Sequence, residues 1–248
     1  MNQEVEHVNP YRQGDKTEQV EEMFDSIAPA YDFMNTAMTF GLFKRWRDKA
    51  LSLAHKFAPD AEEVLDIATG TGDVALHLLK LYPDAAISGL DLSEGMLKIA
   101  REKARKLGVA DRCTFTQGDS LQLPYADNSF DLITVAYGIR NFADISRGLS
   151  EMARTLRPDG TLCILELSEP ANPVLKALYR FYSHNIIPMV GSMVSGDKSA
   201  YSYLPQSVAA CPQRYDMTRL MTDAGFGDCL WRSLTFGAAT IYLGKKRL

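Results

Sequence analysis

The spacing of hydrophobic and polar residues divides this chain into a helical start, a long region of alternating strands and helices, and a strand–turn–strand ending. The stretches Val20 to Tyr31 and Phe33 to Ala54 carry aromatic and methionine residues in a helical pattern. From Glu63 onward, short aliphatic or β-branched runs alternate with longer amphipathic segments. Because this alternation is typical of repeated βα units, it predicts a doubly wound α/β fold preceded by helices.

Five apolar runs are candidates for parallel strands, since each is continuous enough for burial on both faces. They are Val64–Ala68, Ala86–Asp91, Cys113–Gln117, Phe130–Ala136 and Thr161–Leu167. At the C-terminal end, Cys229–Leu234 and Ala238–Gly244 flank the turn Thr235-Phe236-Gly237. This ending predicts an antiparallel hairpin that completes a mostly parallel sheet.

Capping residues mark two of the helices between these strands. Ser93 begins a predicted helix over Glu94 to Leu107, which Gly108 ends. Asp144 begins another helix, which ends near Leu156.

The predicted domain organisation has a polar tail at residues 1–16, an N-terminal helical cap at 17–62 and the α/β domain at 63–248. At about residues 168–214 the regular alternation stops, and the sequence becomes rich in Tyr, Pro, Met and Ser. We interpret this segment as a helical cap inserted into the α/β domain and not as a second domain.

Composition excludes several classes of protein. The chain is 46% hydrophobic and 23% charged, as soluble domains are, and its net charge of -4 argues against a nucleic-acid partner. No run approaches the roughly 18 apolar residues that cross a bilayer. The polar start lacks the features of a secretory signal, so we expect a cytoplasmic protein. The four cysteines form no CxxC pair and no Cys/His cluster, so we expect no metal site.

A glycine loop follows the first predicted strand. Gly70 and Gly72 lie between this strand and a helical pattern that begins at Val74. Glycine lets the backbone approach a ligand closely, and the helix start offers free N–H groups, so the loop suits a nucleoside cofactor. With Ala75, and with Asp91 at the expected distance, the same residues also fit a dinucleotide fingerprint.

Acidic residues favour S-adenosylmethionine over a dinucleotide. Asp91 ends the second strand, where it can accept both ribose hydroxyls, and Asp119 follows the third strand, where it can accept from the adenine amine. Asp66 lies inside the strand before the glycines, near the expected position of a sulfonium cation. Because a pyrophosphate would be repelled by these carboxylates, and no basic residue occurs between Val64 and His77, the cation fits better. Asp66 and Asp73 could alternatively only cap amides of the loop.

Two segments outside the glycine loop resemble the signatures of a known family. The first is Tyr31-Asp32-Phe33-Met34-Asn35 with Met38, Thr39 and Trp46, and the second is Arg154-Thr155-Leu156-Arg157-Pro158-Asp159-Gly160 with Glu166 and Ser168. Three further stretches are Gly138-Ile139-Arg140-Asn141, Ile187-Pro188 with Gly191, and Ala200-Tyr201-Ser202-Tyr203-Leu204-Pro205 with Ser207. Together they resemble the menaquinone and ubiquinone biosynthesis C-methyltransferases, the UbiE/MenG family, from about Met23 to Lys245.

The resemblance implies a class I methyltransferase with a Rossmann-like fold, S-adenosylmethionine as methyl donor and a polyprenylated quinol as acceptor. It also implies that Thr69, Asp91, Asp119 and Ser120 line the cofactor site, to which the glycine loop adds Asp66, Gly70 and Gly72. The sequence departs from the family at three positions: Phe43 replaces a usual His, Asp159 replaces a usual Gly, and Ala136 stands where many members have Ser.

Methylation of a ring carbon requires an electron-rich acceptor, which a quinol provides and an oxidised quinone does not. We expect Arg140 to stabilise the developing phenolate, Asn141 to orient a ring hydroxyl, and Tyr31 to relay a proton or close the pocket. Alternatively, Arg140 forms a structural ion pair that holds the N-terminal cap, and Tyr31 serves only in packing.

The segment Tyr179 to Val190, with Met193, could form an apolar mouth for the isoprenoid tail, or belong to ordinary core or a dimer surface. The tail also suggests loose contact with the inner membrane face, and a homodimer stays open. Between quinols, demethylmenaquinol is favoured over the benzoquinol precursor of ubiquinone. Two other functions stay open: C-methylation of another small molecule, and cofactor binding without turnover in an assembly protein.

Overall fold

A seven-stranded sheet forms the centre of the computed structural model, which describes residues 16–186 and 198–248. The strands are β1 (Glu63–Ile67), β2 (Ala86–Asp91), β3 (Cys113–Gln117), β4 (Phe130–Ala136), β5 (Leu156–Leu167), β6 (Phe226–Leu234) and β7 (Ala239–Lys246). They lie in the order β3-β2-β1-β4-β5-β7-β6, with β1 to β5 parallel and β7 antiparallel to both of its neighbours. The predicted α/β fold and its C-terminal hairpin are confirmed.

Helices cover both faces of the sheet. The described helices are α1 (Lys16–Ile27), α2 (Tyr31–Thr39), α3 (Leu42–Phe57), α4 (Asp73–Leu81), α5 (Glu94–Lys106), α6 (Ile145–Thr155), α7 (Pro173–Phe181), α8 (Lys198–Ala210) and α9 (Tyr215–Asp223). Val64 and Leu132 pack with α3, α4 and α5, whereas the adjacent Leu65 and Ile133 pack with α6 and α9. This alternation explains why the strands read as continuous apolar runs.

Several predicted boundaries are wrong. The expected helix from Phe33 to Ala54 is interrupted between α2 and α3, because Phe40 and Gly41 adopt left-handed conformations with φ of 50° and 73°. Strand β5 begins at Leu156, ahead of Pro158, and its pairing with β4 is irregular there. Helix α9 was not predicted at all. The caps at Ser93 and Asp144 are present, since their side chains accept hydrogen bonds from the backbone N–H groups of Met96 and Arg147, respectively.

The N-terminal helices lie against the carboxyl edge of the parallel strands. Met23, Ile27 and Met34 form a buried cluster with Met96 of α5. At its start, α1 is tied to the loop after β4 by a 2.7 Å hydrogen bond from Lys16 Nζ to the Phe142 carbonyl. These contacts place α1 and α2 above the glycine loop.

The segment predicted as a helical insertion contains α7, a π-helical turn over Tyr182–Ile186, and α8. Residues 187–197 lie outside the described part, as do residues 1–15, so Ile187-Pro188, Gly191, Met193 and most of the polar tail stay untested predictions. Within the described ranges, every helix is too short or too polar to span a bilayer.

Candidate functional site

Two adjoining cavities open at the carboxyl edge of the parallel strands, where sheets of this type bind ligands. The first, which we call the loop cleft, lies beside the glycine loop and encloses about 700 Å³ when the space open to solvent is included. The second, which we call the apolar cavity, lies under α2 and α3 and encloses about 1360 Å³ on the same basis. Tyr31, Tyr137 and Asn141 line both, so a ligand in one cavity can meet a ligand in the other.

The loop between β1 and α4 forms the floor of the loop cleft. Gly70 and Gly72 have φ of 55° and 80°, which disfavours any residue with a side chain. A Cβ atom at Gly72 would also lie 2.9 Å from the Ala100 Cβ and 3.0 Å from the Phe115 ring. The two predicted glycines are therefore required by conformation, and at Gly72 also by packing.

Asp91 ties this loop to the end of β2. One oxygen of its carboxylate accepts from the Gly70 N–H at 2.7 Å and the other accepts from the Ser93 N–H at 2.9 Å. Burial raises the pKa of Asp91 to about 6. Asp119 lines the same cleft, and its Oδ1 accepts from the Leu121 N–H at 2.8 Å. Both carboxylates keep lone pairs for a ligand.

Four of the seven predicted cofactor residues line the loop cleft, namely Gly70, Asp91, Asp119 and Ser120. Asp66, Thr69 and Gly72 do not. The Asp66 carboxylate is buried behind the loop, where it accepts from the hydroxyls of Thr69 and Thr134, each at 2.6 Å. The alternative interpretation, in which Asp66 only caps amides of the loop, differs from this arrangement, because the two groups named here are hydroxyls and Thr134 belongs to β4.

Burial raises the pKa of Asp66 to about 7, which predicts how stability depends on pH. A raised pKa means that the folded state binds the proton more tightly than the unfolded state, so stability from this group increases as pH falls from about 7 towards about 4. Asp66→Asn should therefore raise the free energy of unfolding by ~2 kcal/mol at pH 8, with a smaller gain near pH 5. Urea unfolding at both pH values measures the difference.

The exposed Asp84→Asn is the matched control, because it removes one carboxylate without removing a buried one. Equal effects of the two substitutions at pH 8 would contradict the prediction.

The apolar cavity is lined mainly by carbon, including Met23, Ile27, Met34, Met38, Phe43 and Trp46. Three lining residues contribute buried polar atoms without a hydrogen-bond partner among the described residues: Arg140 Nε, Asn141 Oδ1 and Tyr203 Oη. Other buried polar atoms among the described residues also lack a partner, but none of them belongs to a residue that lines this cavity. Because buried polar atoms are normally paired, the three that face this one cavity are available to a ligand with matching groups.

Arg140 is held in this cavity by Glu166, the second-last residue of β5. Its Nη1 donates to Glu166 Oε1 at 2.7 Å, and the two side chains are only 8% and 2% exposed. Burial alone would lower the pKa of Arg140, but the Glu166 carboxylate raises it above the usual value, so the guanidinium stays charged. The ion pair is real, but it joins Arg140 to the sheet and not to the N-terminal helices.

Tyr31 stands where the two cavities meet. Its Cε1 would lie 3.9 Å from a Cβ atom built at Gly70, and its ring packs edge-on against Phe24 at 6.0 Å between centroids. Burial raises the pKa of Tyr31, which the Arg140 charge partly opposes. At neutral pH the phenol is therefore protonated and can donate a hydrogen bond.

A lysine network holds α2 against the glycine loop. Lys103 Nζ lies 2.6 Å from Asp32 Oδ2, 2.7 Å from Asp73 Oδ1 and 3.0 Å from the Thr71 hydroxyl. The Thr71 hydroxyl also donates to Asp32 Oδ1 at 2.7 Å. Because Asp32 follows Tyr31 directly, this network fixes Tyr31 over Gly70.

We expect Lys103→Met to weaken cofactor binding by roughly 3- to 10-fold, because each of these partly exposed ion pairs contributes up to about 1 kcal/mol. Isothermal titration with the cofactor at low and high salt measures the effect, and added salt should reduce the difference from wild type. Lys106→Met is the control, since the one ion pair of Lys106 within residues 16–186 and 198–248 is with the exposed Glu102 one helical turn away. Equal affinities of the two variants would contradict a role for the network.

Several site residues were not predicted as such. Glu166 was noted only as part of a signature, although a charged residue within an apolar strand is itself a signal of a paired buried group. Tyr203 was likewise noted only as part of a stretch that resembles the family, and Tyr137 gave no signal that distinguishes a site tyrosine from a packed one. Asp25 of α1 caps α5 by accepting from the Ser93 hydroxyl at 2.5 Å and the Gly95 N–H at 2.9 Å, a long-range contact that no local pattern encodes.

Within the described residues, no group of three His, Cys, Asp or Glu side chains is placed to hold a metal ion. A reaction without a metal stays a prediction.

The chain is similar to known methyltransferases over nearly its whole length. A family model described as the ubiE/COQ5 methyltransferase family matches residues 12–246. A demethylmenaquinone methyltransferase of Bacteroides fragilis is 46% identical over 99% of this chain and 100% of that protein. A ubiquinone/menaquinone biosynthesis C-methyltransferase of Geobacter sulfurreducens is 42% identical over 97% of this chain and 93% of its own length.

Solved structures show the same fold at low identity. A SAM-dependent methyltransferase of Thermotoga maritima aligns with a TM-score of 0.61 at 21% identity, over 91% of this chain and 100% of that chain. A phosphoethanolamine N-methyltransferase of Haemonchus contortus, solved with S-adenosylhomocysteine, aligns with a TM-score of 0.62 at 17% identity, over 81% of this chain and 53% of that chain. The chain belongs to the ubiE/COQ5 methyltransferase family and is an S-adenosylmethionine-dependent methyltransferase.

Proposed function

We propose that this enzyme transfers a methyl group from S-adenosylmethionine to a ring carbon of demethylmenaquinol, which yields menaquinol. The names of the B. fragilis and G. sulfurreducens relatives support this reaction. The residues that line the apolar cavity support the same acceptor independently.

The observation that carries the proposal is the pairing of an apolar cavity with three unpartnered polar atoms. A quinol is a flat apolar ring with two hydroxyls, so it fits a carbon-lined space with few polar contacts. Arg140 Nε can only donate, Asn141 Oδ1 can only accept, and Tyr203 Oη can do either. An oxidised quinone has no O–H to donate to Asn141 Oδ1, so the site favours the reduced ring.

The loop cleft fits the cofactor. Asp91 and Asp119 provide acceptors for ribose hydroxyls and an adenine amine, while Leu90, Met96 and Phe142 provide apolar surfaces for the base. A side chain at Gly118, which also lines the cleft, would displace the Leu90 side chain, because its Cβ would lie 2.9 Å from Leu90 Cδ1. When bound, S-adenosylmethionine supplies an electrophilic methyl group.

The protein's own residues would prepare the acceptor for this methyl group. In our proposal, one ring hydroxyl loses its proton to solvent, and Arg140 stabilises the negative charge that forms on the ring oxygen. Asn141 accepts from the second hydroxyl and fixes the orientation of the ring. Tyr31 donates a hydrogen bond at the junction of the cavities and keeps water away from the reacting carbon. A fixed arrangement of this kind contributes to catalysis by positioning and by electrostatic preorganisation.

The isoprenoid tail would leave the cavity past α7 and the π-helical turn. Tyr179, Tyr182 and Ser183 line the cavity on this side, whereas Phe181 is exposed. Residues 187–190 and Met193 of the predicted mouth lie outside the described residues. Such a substrate resides in a bilayer, so we propose a cytoplasmic enzyme in peripheral contact with the inner membrane face. The homodimer stays an untested prediction.

The reaction is tested by methyl transfer from labelled S-adenosylmethionine to chemically reduced demethylmenaquinone, with the oxidised quinone as the control. The reduced ubiquinone precursor is assayed in parallel. Label in the reduced demethylmenaquinone alone is the expected result. Label only in the benzoquinol would transfer the proposal to ubiquinone synthesis, and label in neither, with measurable cofactor binding, would overturn it.

A further inference from the structure

Two tight turns at the edge of the apolar cavity expose phenylalanine side chains to solvent. Phe40 lies between α2 and α3 and is 83% exposed, and Phe236 lies between β6 and β7 and is 82% exposed. We call these two residues the phenylalanine rim. Both have left-handed backbones, with φ of 50° and 57°, a region that bulky residues seldom occupy. Neither the backbone conformation nor the exposure favours folding, so another requirement is indicated.

The two turns are neighbours in space. The Trp46 indole N–H of α3 donates to the Thr235 hydroxyl, beside Phe236, at 2.8 Å. The pairing of Leu167 with Ala239 places the turn between β6 and β7 at the carboxyl edge of β5. Phe40 and Thr235 both line the apolar cavity. The apolar surface therefore continues from the cavity out to the rim.

Cations accompany the rim. Lys44 and Arg45 are exposed on the first turn of α3, and Arg232 is exposed on β6 shortly before Phe236. None of the three forms an ion pair with another described residue. Asp48 is the exposed acid farther along α3, and Arg47 holds it at 2.9 Å. Protruding aromatic residues next to unpaired cations are the features that hold proteins at the surface of anionic bilayers.

We propose that the phenylalanine rim inserts into the surface of an anionic bilayer and places the mouth of the apolar cavity against the lipid. The inference rests on the proposed function, because the continuity between rim and cavity matters only for an acceptor with a membrane-resident tail. A bilayer fits better than a protein partner, since the rim consists of two separate protrusions beside a cavity that takes a lipid.

The binding test needs neither cofactor nor acceptor. Wild-type protein is floated with vesicles of phosphatidylglycerol and phosphatidylethanolamine, alongside Phe40→Asn and Phe236→Asn. Asparagine tolerates the left-handed backbone, so both variants should fold, which thermal unfolding checks. We expect each substitution to lower the vesicle-bound fraction several-fold. Leu107→Asn is the control, since Leu107 is 64% exposed after the end of α5, at the opposite edge of the sheet, and should bind as wild type does.

An activity assay separates the rim from the reaction. Phe236→Asn should methylate a short-tail quinol in solution at the wild-type rate, yet lose several-fold on a long-tail quinol embedded in vesicles. The proposal that the rim inserts into a bilayer would be overturned if the wild-type protein does not float with vesicles, or if both rim variants float as well as wild type. Either result would count against the rim even if methyl transfer in solution is intact. A wild-type dimer that becomes monomeric on Phe236→Asn would also overturn it, in favour of an interface between two copies.

Discussion

Replacing Arg140 by Met together with Glu166 by Gln should lower kcat for methyl transfer by about 10²- to 10³-fold, the loss typical of removing one donor to a developing oxyanion. The double substitution is needed because removing the Arg140 side chain alone would leave the Glu166 carboxylate buried with backbone N–H donors but without a counter-charge, and breaking a buried ion pair in this way typically costs about 3–5 kcal/mol of stability. Cofactor affinity should stay near the wild-type value, since Arg140 lines the apolar cavity and not the loop cleft. Single-turnover kinetics and titration with S-adenosylmethionine measure the two effects separately.

Three further measurements distinguish catalysis from packing at this position. Glu166→Gln alone keeps the guanidinium and should lose much less activity than the double variant. Arg140→Lys keeps a charge but lacks Nε, so an intermediate loss is expected. Because the quinol must ionise to react, kcat should rise with pH. If Arg140 stabilises the phenolate, this rise should occur at higher pH in the double variant, since the bound quinol would ionise less readily. Wild-type turnover in Arg140→Met/Glu166→Gln, with cofactor binding intact, would contradict the catalytic role.

The sheet could be predicted because each strand obeys a local rule. Apolar runs such as Phe130–Ala136 are buried on both faces, and their strand type follows from that burial alone. The glycine loop could also be predicted, because Gly70 and Gly72 adopt left-handed backbone conformations that residues other than glycine seldom adopt. The predicted ends of helices were wrong where a single residue departs from the pattern around it. Phe40 has a left-handed backbone that nothing in its own chemistry requires, so the break between α2 and α3 was missed.

The site was only partly predictable because its key contacts join residues far apart in the chain. Lys103 reads as one of many surface lysines on α5, yet it meets Asp32 across 71 positions. The expectation that Asp66 lies near the sulfonium came from its place in the strand. Its side chain accepts hydrogen bonds from the hydroxyls of Thr69 and Thr134, and the contact with Thr134 follows from the pairing of β1 with β4. Its position relative to the sulfonium stays a prediction. The local sequence thus predicts at which edge of the sheet a ligand binds, whereas tertiary packing determines which side chains contact that ligand.

Asp91→Asn should weaken S-adenosylmethionine binding by about 10²-fold, equivalent to about 2.7 kcal/mol. The carboxylate accepts from the N–H groups of Gly70 and Ser93 at the same time, whereas an amide can accept from only one and directs its own N–H₂ at the other. The variant should therefore lose the closed shape of the glycine loop as well as a negative acceptor for the ribose hydroxyls. Isothermal titration at pH 7.5 measures the loss.

The pH dependence of the same titration tests the cause. Because burial raises the pKa of Asp91 to about 6, a proton competes with the ribose hydroxyls below that pH. Wild-type affinity should then fall by up to about tenfold from pH 6 to pH 5, whereas the affinity of Asp91→Asn should stay flat. Asp66→Asn should keep the loss of affinity at low pH, since Asp66 does not line the cleft, but the loss should begin at slightly lower pH because the two carboxylates repel each other. Asp119→Asn should lose less affinity than Asp91→Asn, because one amide oxygen can still accept from the Leu121 N–H. If the cofactor affinity of the wild-type protein does not change from pH 7 to pH 5, Asp91 does not contact the cofactor and only shapes the glycine loop.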